Sequence, residues 1–393
     1  MSERTITAVE SYLRDGGPLS VADGTGVIGE LERRMASVLD VDRVLTFSSG
    51  TAALHAGYLA LDLPPGSTVI GPVNTFHASL SPALHAGLNV VLVDVDPETG
   101  TLCPQALAEA ISDDTACVTV SHHLGHPAEM NKIVAICRER RLRLVEDCSH
   151  AYLSTYKGQP VGSFGDLAVW SMQARKRLCA GEGGLFAARE RALYERAVLA
   201  GHYRGRSYQL QDASLQAFAD TGLGLKYRLH PLGAVIALAE SKDLAARVAH
   251  RDEVLRHFSD RLSRITGIRP PIARKHVTVG GWFSYRPRLV PAEVGPDVTA
   301  EQYLAELQSA GVPAHYPSIG SLDQMALFSR PVPLRAVEGS WRPRLHGPFD
   351  GDRAFDQNKI SVTIRDDDDL NVIDGYVQKF AAVSRSLSTQ GAR

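Results

Sequence analysis

Between residues 45 and 189, short apolar runs rich in valine and leucine alternate with longer stretches whose apolar residues recur every three or four positions. The runs at 67–73 (STVIGPV), 89–96 (NVVLVDVD), 116–122 (ACVTVSH), 142–147 (LRLVED) and 167–171 (LAVWS) have the length and residue types of strands. A further strand-like run covers 45–48. Between the runs lie TAALHAGYLALDL, FHASLSPALHAGL, CPQALAEAI and MNKIVAICRERR, each with the apolar spacing of an amphipathic helix. Strands and helices taking turns predict an α/β fold, with a large, mostly parallel sheet covered by helices on both faces.

After residue 200 the pattern changes. GHYRGRSYQLQDAS is a polar, glycine-containing loop, and residues 231–262 read as one long helix or two abutting ones. Further on, GGWFSYRPRLVP and KISVTIRD read as antiparallel strands, and TAEQYLAELQSAG and LNVIDGYVQKFAAVSRSL as helices. These segments predict a large domain over residues 1–244 and a smaller α+β domain over 245–393. The acidic run at 366–369 fits the first turn of the last helix, where the helix dipole favours negative charge.

Composition narrows the function classes. With 393 residues, 44% hydrophobic and 22% charged, the chain can bury a sizeable core. A net charge of -2 gives no general attraction to nucleic acid or to an anionic membrane, so neither is expected as a partner. The opening MSERTITAVESYLRDGG lacks the basic start and apolar run of a signal peptide, which predicts a cytoplasmic protein. Five cysteines, widely scattered and without a C-x-x-C pair, predict reduced thiols and no metal site.

In open α/β sheets ligands bind beyond the carboxyl ends of the strands. Three features fall there. In SSGTAAL, Ser49, Gly50 and Thr51 precede a helix, where free N–H groups, a hydroxyl and the helix dipole make a phosphate seat; helix capping is the ordinary role of such residues. The strand LRLVED ends in Glu146 and Asp147, and a carboxylate there either meets solvent or faces a heterocyclic nitrogen and keeps it protonated. Lys176 follows the strand that ends at Ser171, whose hydroxyl is placed for a phosphate. Lys176 stands before the turn GEGG, whose glycines would allow close backbone approach to a ligand. An amine in such a place can form an imine with a carbonyl once burial lowers its pKa.

The order SSGTAAL, NTFHASLSPALHAG, VEDCSHA, GSFGD, SMQARKRLCAGEGG and HYPS resembles the DegT/StrS family of pyridoxal phosphate (PLP) dependent aminotransferases, which have the fold type I architecture with a sheet of the seven-stranded type. The resemblance implies that Lys176 forms the imine with PLP and Asp147 partners the pyridinium nitrogen. It implies that Phe76 stacks on the ring, and that Gly50, Thr51 and Ser171 hold the phosphate. His150, where the family usually has glutamine, either bonds the cofactor's phenolic oxygen or is a packed histidine. Lys226 stands where many members have an asparagine that reaches the phosphate in the neighbouring subunit, which implies a homodimer with shared active sites. Candidate substrate contacts are His202, Tyr203, Arg204, Arg228, His315 and Tyr316.

The implied activity is transfer of an amino group from glutamate or glutamine to a keto-sugar or keto-cyclitol, in aminoglycoside, other secondary-metabolite or polysaccharide biosynthesis. A lysine at 176 argues against the family branch in which histidine replaces it and the enzyme is a dehydratase. Gln173 with AGEGG resembles the carbocycle subgroup, which includes aromatising aminohydroxybenzoate synthases, so elimination or aromatisation is an alternative. A silent PLP-binding regulator or partner subunit is a third reading, disfavoured by the presence of both Lys176 and Asp147.

Overall fold

The computed structural model describes residues 2–317, 320–330 and 343–390. Strands β1 (Leu45–Phe47), β2 (Thr68–Pro72), β3 (Asn89–Val93), β4 (Thr115–Ser121), β5 (Arg143–Asp147), β6 (Leu167–Ser171), β7 (Gly184–Ala188) and β8 (Arg344–His346) form one sheet. Its order is β1-β7-β6-β5-β4-β2-β3-β8. From β6 to β8 every neighbouring pair is parallel, whereas β7 runs antiparallel to both β6 and β1. The predicted strands are present to within a few residues at each end. β7 lies where the pattern marks only the GEGG turn. All five of its residues are buried, so no polar alternation betrays it.

The segment FHASLSPALHAGL departs from the predicted single helix. It forms a 3-10 turn at His77–Ser79 and a short helix at Ser81–His85. Pro82, at the start of the second piece, brings no N–H and fits only a first turn, so the chain restarts there. Residues 231–262 resolve into two abutting helices.

Helices α1 (Glu3–Arg14), α2 (Gly26–Leu39), α3 (Gly50–Ala60), α4 (Pro231–Ser241), α5 (Leu244–Leu262), α6 (Ala300–Ser309) and α7 (Leu370–Gln390) complete the frame. α1 and α2 pack on α4, and Thr5 Oγ1 donates to Glu240 Oε1 across the first contact (2.5 Å). α5 and α6 pack on α7 around Phe258, Tyr303 and Phe380. Late in the chain, pairing is brief: Ala314–His315 with Ser361–Val362, and Ile268–Arg269 with Arg288–Leu289. KISVTIRD and GGWFSYRPRLVP thus contribute two paired residues each, plus bridges from Tyr285 to Val362 and from Arg288 to Lys359. β8 returns from this late region to the edge of the large sheet. Among the described residues no helix is long and apolar enough to cross a membrane.

Candidate active site

A cleft of about 1060 Å³ opens where β4, β5 and β6 end and α3 begins. Alternation along β5 decides which acid faces it. Asp147 lines the cleft, with Oδ2 accepting from Ser79 Oγ (2.5 Å) and Oδ1 from the Ser149 N–H (3.0 Å). Ser79 in turn meets Thr75 Oγ1 at 2.8 Å. Glu146 points the other way and is fully buried. It accepts backbone N–H bonds from Gly162 (2.8 Å), Phe164 (2.8 Å) and Gly165 (2.6 Å) and faces His122 Nε2 (3.1 Å). His122 Nδ1 accepts from the Ala128 N–H (3.2 Å), so this ring donates from Nε2 to Glu146. Glu146 is a structural acceptor for the loop before β6, and Asp147 is the acid available to a ligand.

Lys176 also lines the cleft, with its amine 4.3 Å from the ring centroid of Phe283. Burial draws its pKa from 10.5 down to about 8, against the charge of Asp147, which pulls it upward. His150 stacks flat on the same Phe283 ring, at 3.8 Å and 6°. Burial, then the charge of Lys176, hold His150 neutral well below its ordinary range, and its buried Nδ1 has no partner among the described residues. A buried polar atom with no partner, facing a cleft, is a group awaiting a ligand.

At the start of α3, Ser49 caps the helix by accepting from the Ala52 N–H (3.0 Å), and Gly50 and Thr51 line the cleft beside Ser171. Capping and phosphate seating are therefore compatible: the cap side chain serves Ala52 and leaves the first N–H groups of the helix to the cleft. A Cβ on Gly50 would press on Ser171 Cβ at 3.0 Å. Of the glycines after Lys176, Gly184 serves a contact other than the expected one. A Cβ on Gly184 would lie 2.3 Å from Ser49 O and 2.8 Å from Gly50 N, so Gly184 lets β7 approach the backbone that begins α3 rather than a ligand. Phe76 is 48% exposed, which makes it a cleft aromatic and not a core one.

Of the candidate substrate contacts, His315 lines the cleft; the others, and Lys226, do not. His202 is buried edge-on against Phe47 (5.0 Å), and burial pushes its pKa down to about 3, so it packs the interior. Lys226 bridges His202 through the backbone, Arg228 lies over the Tyr203 ring (5.9 Å), Arg204 takes a left-handed turn (φ 56°), and Tyr316 is exposed away from the cleft lining. These six, His202 included, do not line the cleft of their own chain. Ser318, the end of HYPS, lies outside the described residues.

Sequence reasoning passed over Thr75, Ser79, Phe283 and Arg286. The hydroxyls at 75 and 79 are four positions apart in NTFHAS, a helical-turn spacing that was the available signal. Phe283 and Arg286 come from far along the chain, and only the fold brings them to Lys176. The two arginines beside Lys176 also find their places: Arg175 lines the cleft, and Arg177 pairs with Asp366, which Arg251 Nη1 also approaches (3.4 Å).

The fold and cleft define an α/β architecture shared with PLP enzymes. E coli GDP-4-keto-6-deoxy-D-mannose-3-dehydratase, solved with bound hydrated PLP, matches with a TM-score of 0.82 over 97% of both chains at 19% identity. The chain belongs to the DegT/DnrJ/EryC1/StrS aminotransferase family, which it matches over residues 4–330. Among its relatives, GDP-perosamine synthase of Escherichia coli O157:H7 is 32% identical over 58% of this chain and 60% of that protein. L-glutamine:scyllo-inosose aminotransferase of Streptomyces griseus is 32% identical over 69% of this chain and 65% of that protein. The chain thus spans just under two thirds of the length of these relatives. PLP is the cofactor that goes with this family. The residues present fit it: an isolated amine, a carboxylate held by two donors, an uncovered helix N-terminus and an unpartnered imidazole nitrogen share one cleft.

Proposed function

We propose that the protein is a PLP-dependent aminotransferase that moves an amino group from glutamate or glutamine to a keto-sugar or keto-cyclitol. The observation that carries this reading is the Lys176 amine, drawn down to about 8 by burial and sharing a cleft with Asp147. Gly50, Thr51 and Ser171 would hold the cofactor phosphate, Phe76 would lie on the ring face, and His150 Nδ1 would meet the phenolic oxygen. When bound, PLP supplies an electron sink for the carbon that loses its proton. Asp147, fixed by Ser79 and Ser149, would keep the ring nitrogen protonated. Lys176, with a pKa close to neutral, can take the donor's α-proton as a base and return it as an acid, and Phe283 lies against its buried amine. We also infer a homodimer in the cytoplasm, in which Lys226, outside its own cleft, serves the partner's phosphate, and a functional division near residue 244. The pathway inferred is aminoglycoside, other secondary-metabolite or polysaccharide biosynthesis.

The test is direct. The purified protein should be yellow, borohydride should fix PLP on the peptide containing Lys176, and a keto-cyclitol with glutamate or glutamine should release a 2-oxo acid. Unchanged colour and turnover in Lys176→Ala would refute the reading.

A further inference from the structure

Beyond Lys176 the cleft meets a second cavity of about 330 Å³, and Ser284 and Arg286 line both. Arg286 is 3% exposed, its Nη1 has no hydrogen-bond partner among the described residues, and its Nε makes only a long contact to Ser284 Oγ (3.4 Å). No carboxylate of the described residues lies within ion-pair distance of it; Asp356 acts on it only through space. The second cavity adds Arg288 and Lys359 to its wall, with Glu98 as its acid, and Glu98 is engaged by Arg274 (3.4 Å). It also contains His123, fully buried, with neither ring nitrogen partnered. A buried guanidinium without a carboxylate partner is costly unless something supplies the negative charge, and its planar fork matches an oxyanion.

We propose that Arg286 is the oxyanion receptor of the substrate site, holding a carboxylate or phosphate group of a substrate at the junction of the cleft and the second cavity. The proposal rests on the cleft being the aminotransfer site. Two sources present that chemistry: the carboxylate of the amino donor and a phosphate carried by the acceptor. Arg286 and His150 line the same cleft as Lys176, so the bound group shares the cleft with the reacting amine. Arg286 holds the substrate and moves no proton.

The test uses holoenzyme of wild type, Arg286→Gln and Arg286→Lys, titrated calorimetrically with glutarate and, separately, with inorganic phosphate. Each half-reaction is followed by cofactor absorbance, and Arg140→Gln serves as a surface control. In Arg286→Gln the affinity for the recognised anion should fall about tenfold to a hundredfold. Arg286→Lys, which keeps the charge and loses the fork, should lie between. If the donor's carboxylate is the ligand, glutarate affinity falls and the KM of the donor half-reaction rises alone. If the acceptor's phosphate is the ligand, phosphate affinity and the acceptor half-reaction change instead. Unchanged affinity for both anions in either folded variant overturns the proposal. Because the anion titration needs no turnover, a failed aminotransferase reading and a failed Arg286 assignment give different results.

Discussion

Replacing Lys176 by methionine should make the cofactor-free protein more stable at neutral pH. In the folded chain the amine titrates near 8 rather than 10.5, because its place against Phe283 removes water from the charged form. At about 1.4 kcal/mol per pKa unit, keeping that proton at pH 7 costs the fold about 3 kcal/mol. Methionine removes the cost and packs on the aromatic ring, but Asp147 loses its cationic neighbour, so the expected net gain is about 2 kcal/mol. The folded pKa lies below the unfolded one, so between pH 8 and 10.5 the unfolded chain binds a proton that the folded chain does not. Wild-type stability should therefore rise across that window relative to the variant, and the gap should close by its upper end. Urea unfolding of both apo proteins at one protomer concentration, at pH 7 and pH 10, measures this. A variant less stable than wild type at pH 7, or a gap independent of pH, would refute the account of Lys176 as a desolvated amine.

Three further outcomes follow from the same geometry. Gly184→Ala would drive a methyl group into the Ser49 and Gly50 backbone, so PLP affinity measured by absorbance titration should drop at least tenfold, with a stability loss of about 1–3 kcal/mol; wild-type affinity would contradict the role given to this glycine. Glu146→Ala strands the buried N–H group of Gly165 and the half-buried ones of Gly162 and Phe164, so it should cost about 3 kcal/mol in chemical denaturation while any folded protein keeps its cofactor band. Mixing Lys176→Ala with Lys226→Ala subunits should recover part of the activity that each lacks, and mixtures no better than their parents would remove Lys226 from the partner's site.

The large sheet was legible because its strands are short, valine-rich and punctuated, and the cleft was legible wherever its residues sit at strand ends: Asp147, Ser171 and Lys176. β7 was not, because full burial erases alternation, and the proline in FHASLSPALHAGL was outweighed by the apolar spacing around it. Glu146 and Asp147 are neighbours of one charge type, and only the strand's facing separates the loop anchor from the cleft acid. His202 and Tyr203 drew notice as polar and aromatic groups in a loop, yet one fills the interior and the other underlies Arg228. Phe283 and Arg286 stand more than a hundred residues beyond Lys176 in the chain, and no local pattern marks side chains that matter only through such a contact.

The ring of Phe283 gives the late part of the chain control over the acidity of the reactive amine. Withdrawing that ring from its 4.3 Å contact would readmit water to Lys176 and return its affinity for protons toward that of a free lysine. Phe283→Ala should therefore leave the apo protein holding a proton near pH 9 that the wild type has already released. An indicator dye in weakly buffered solution, applied to both apo proteins, reads that difference directly.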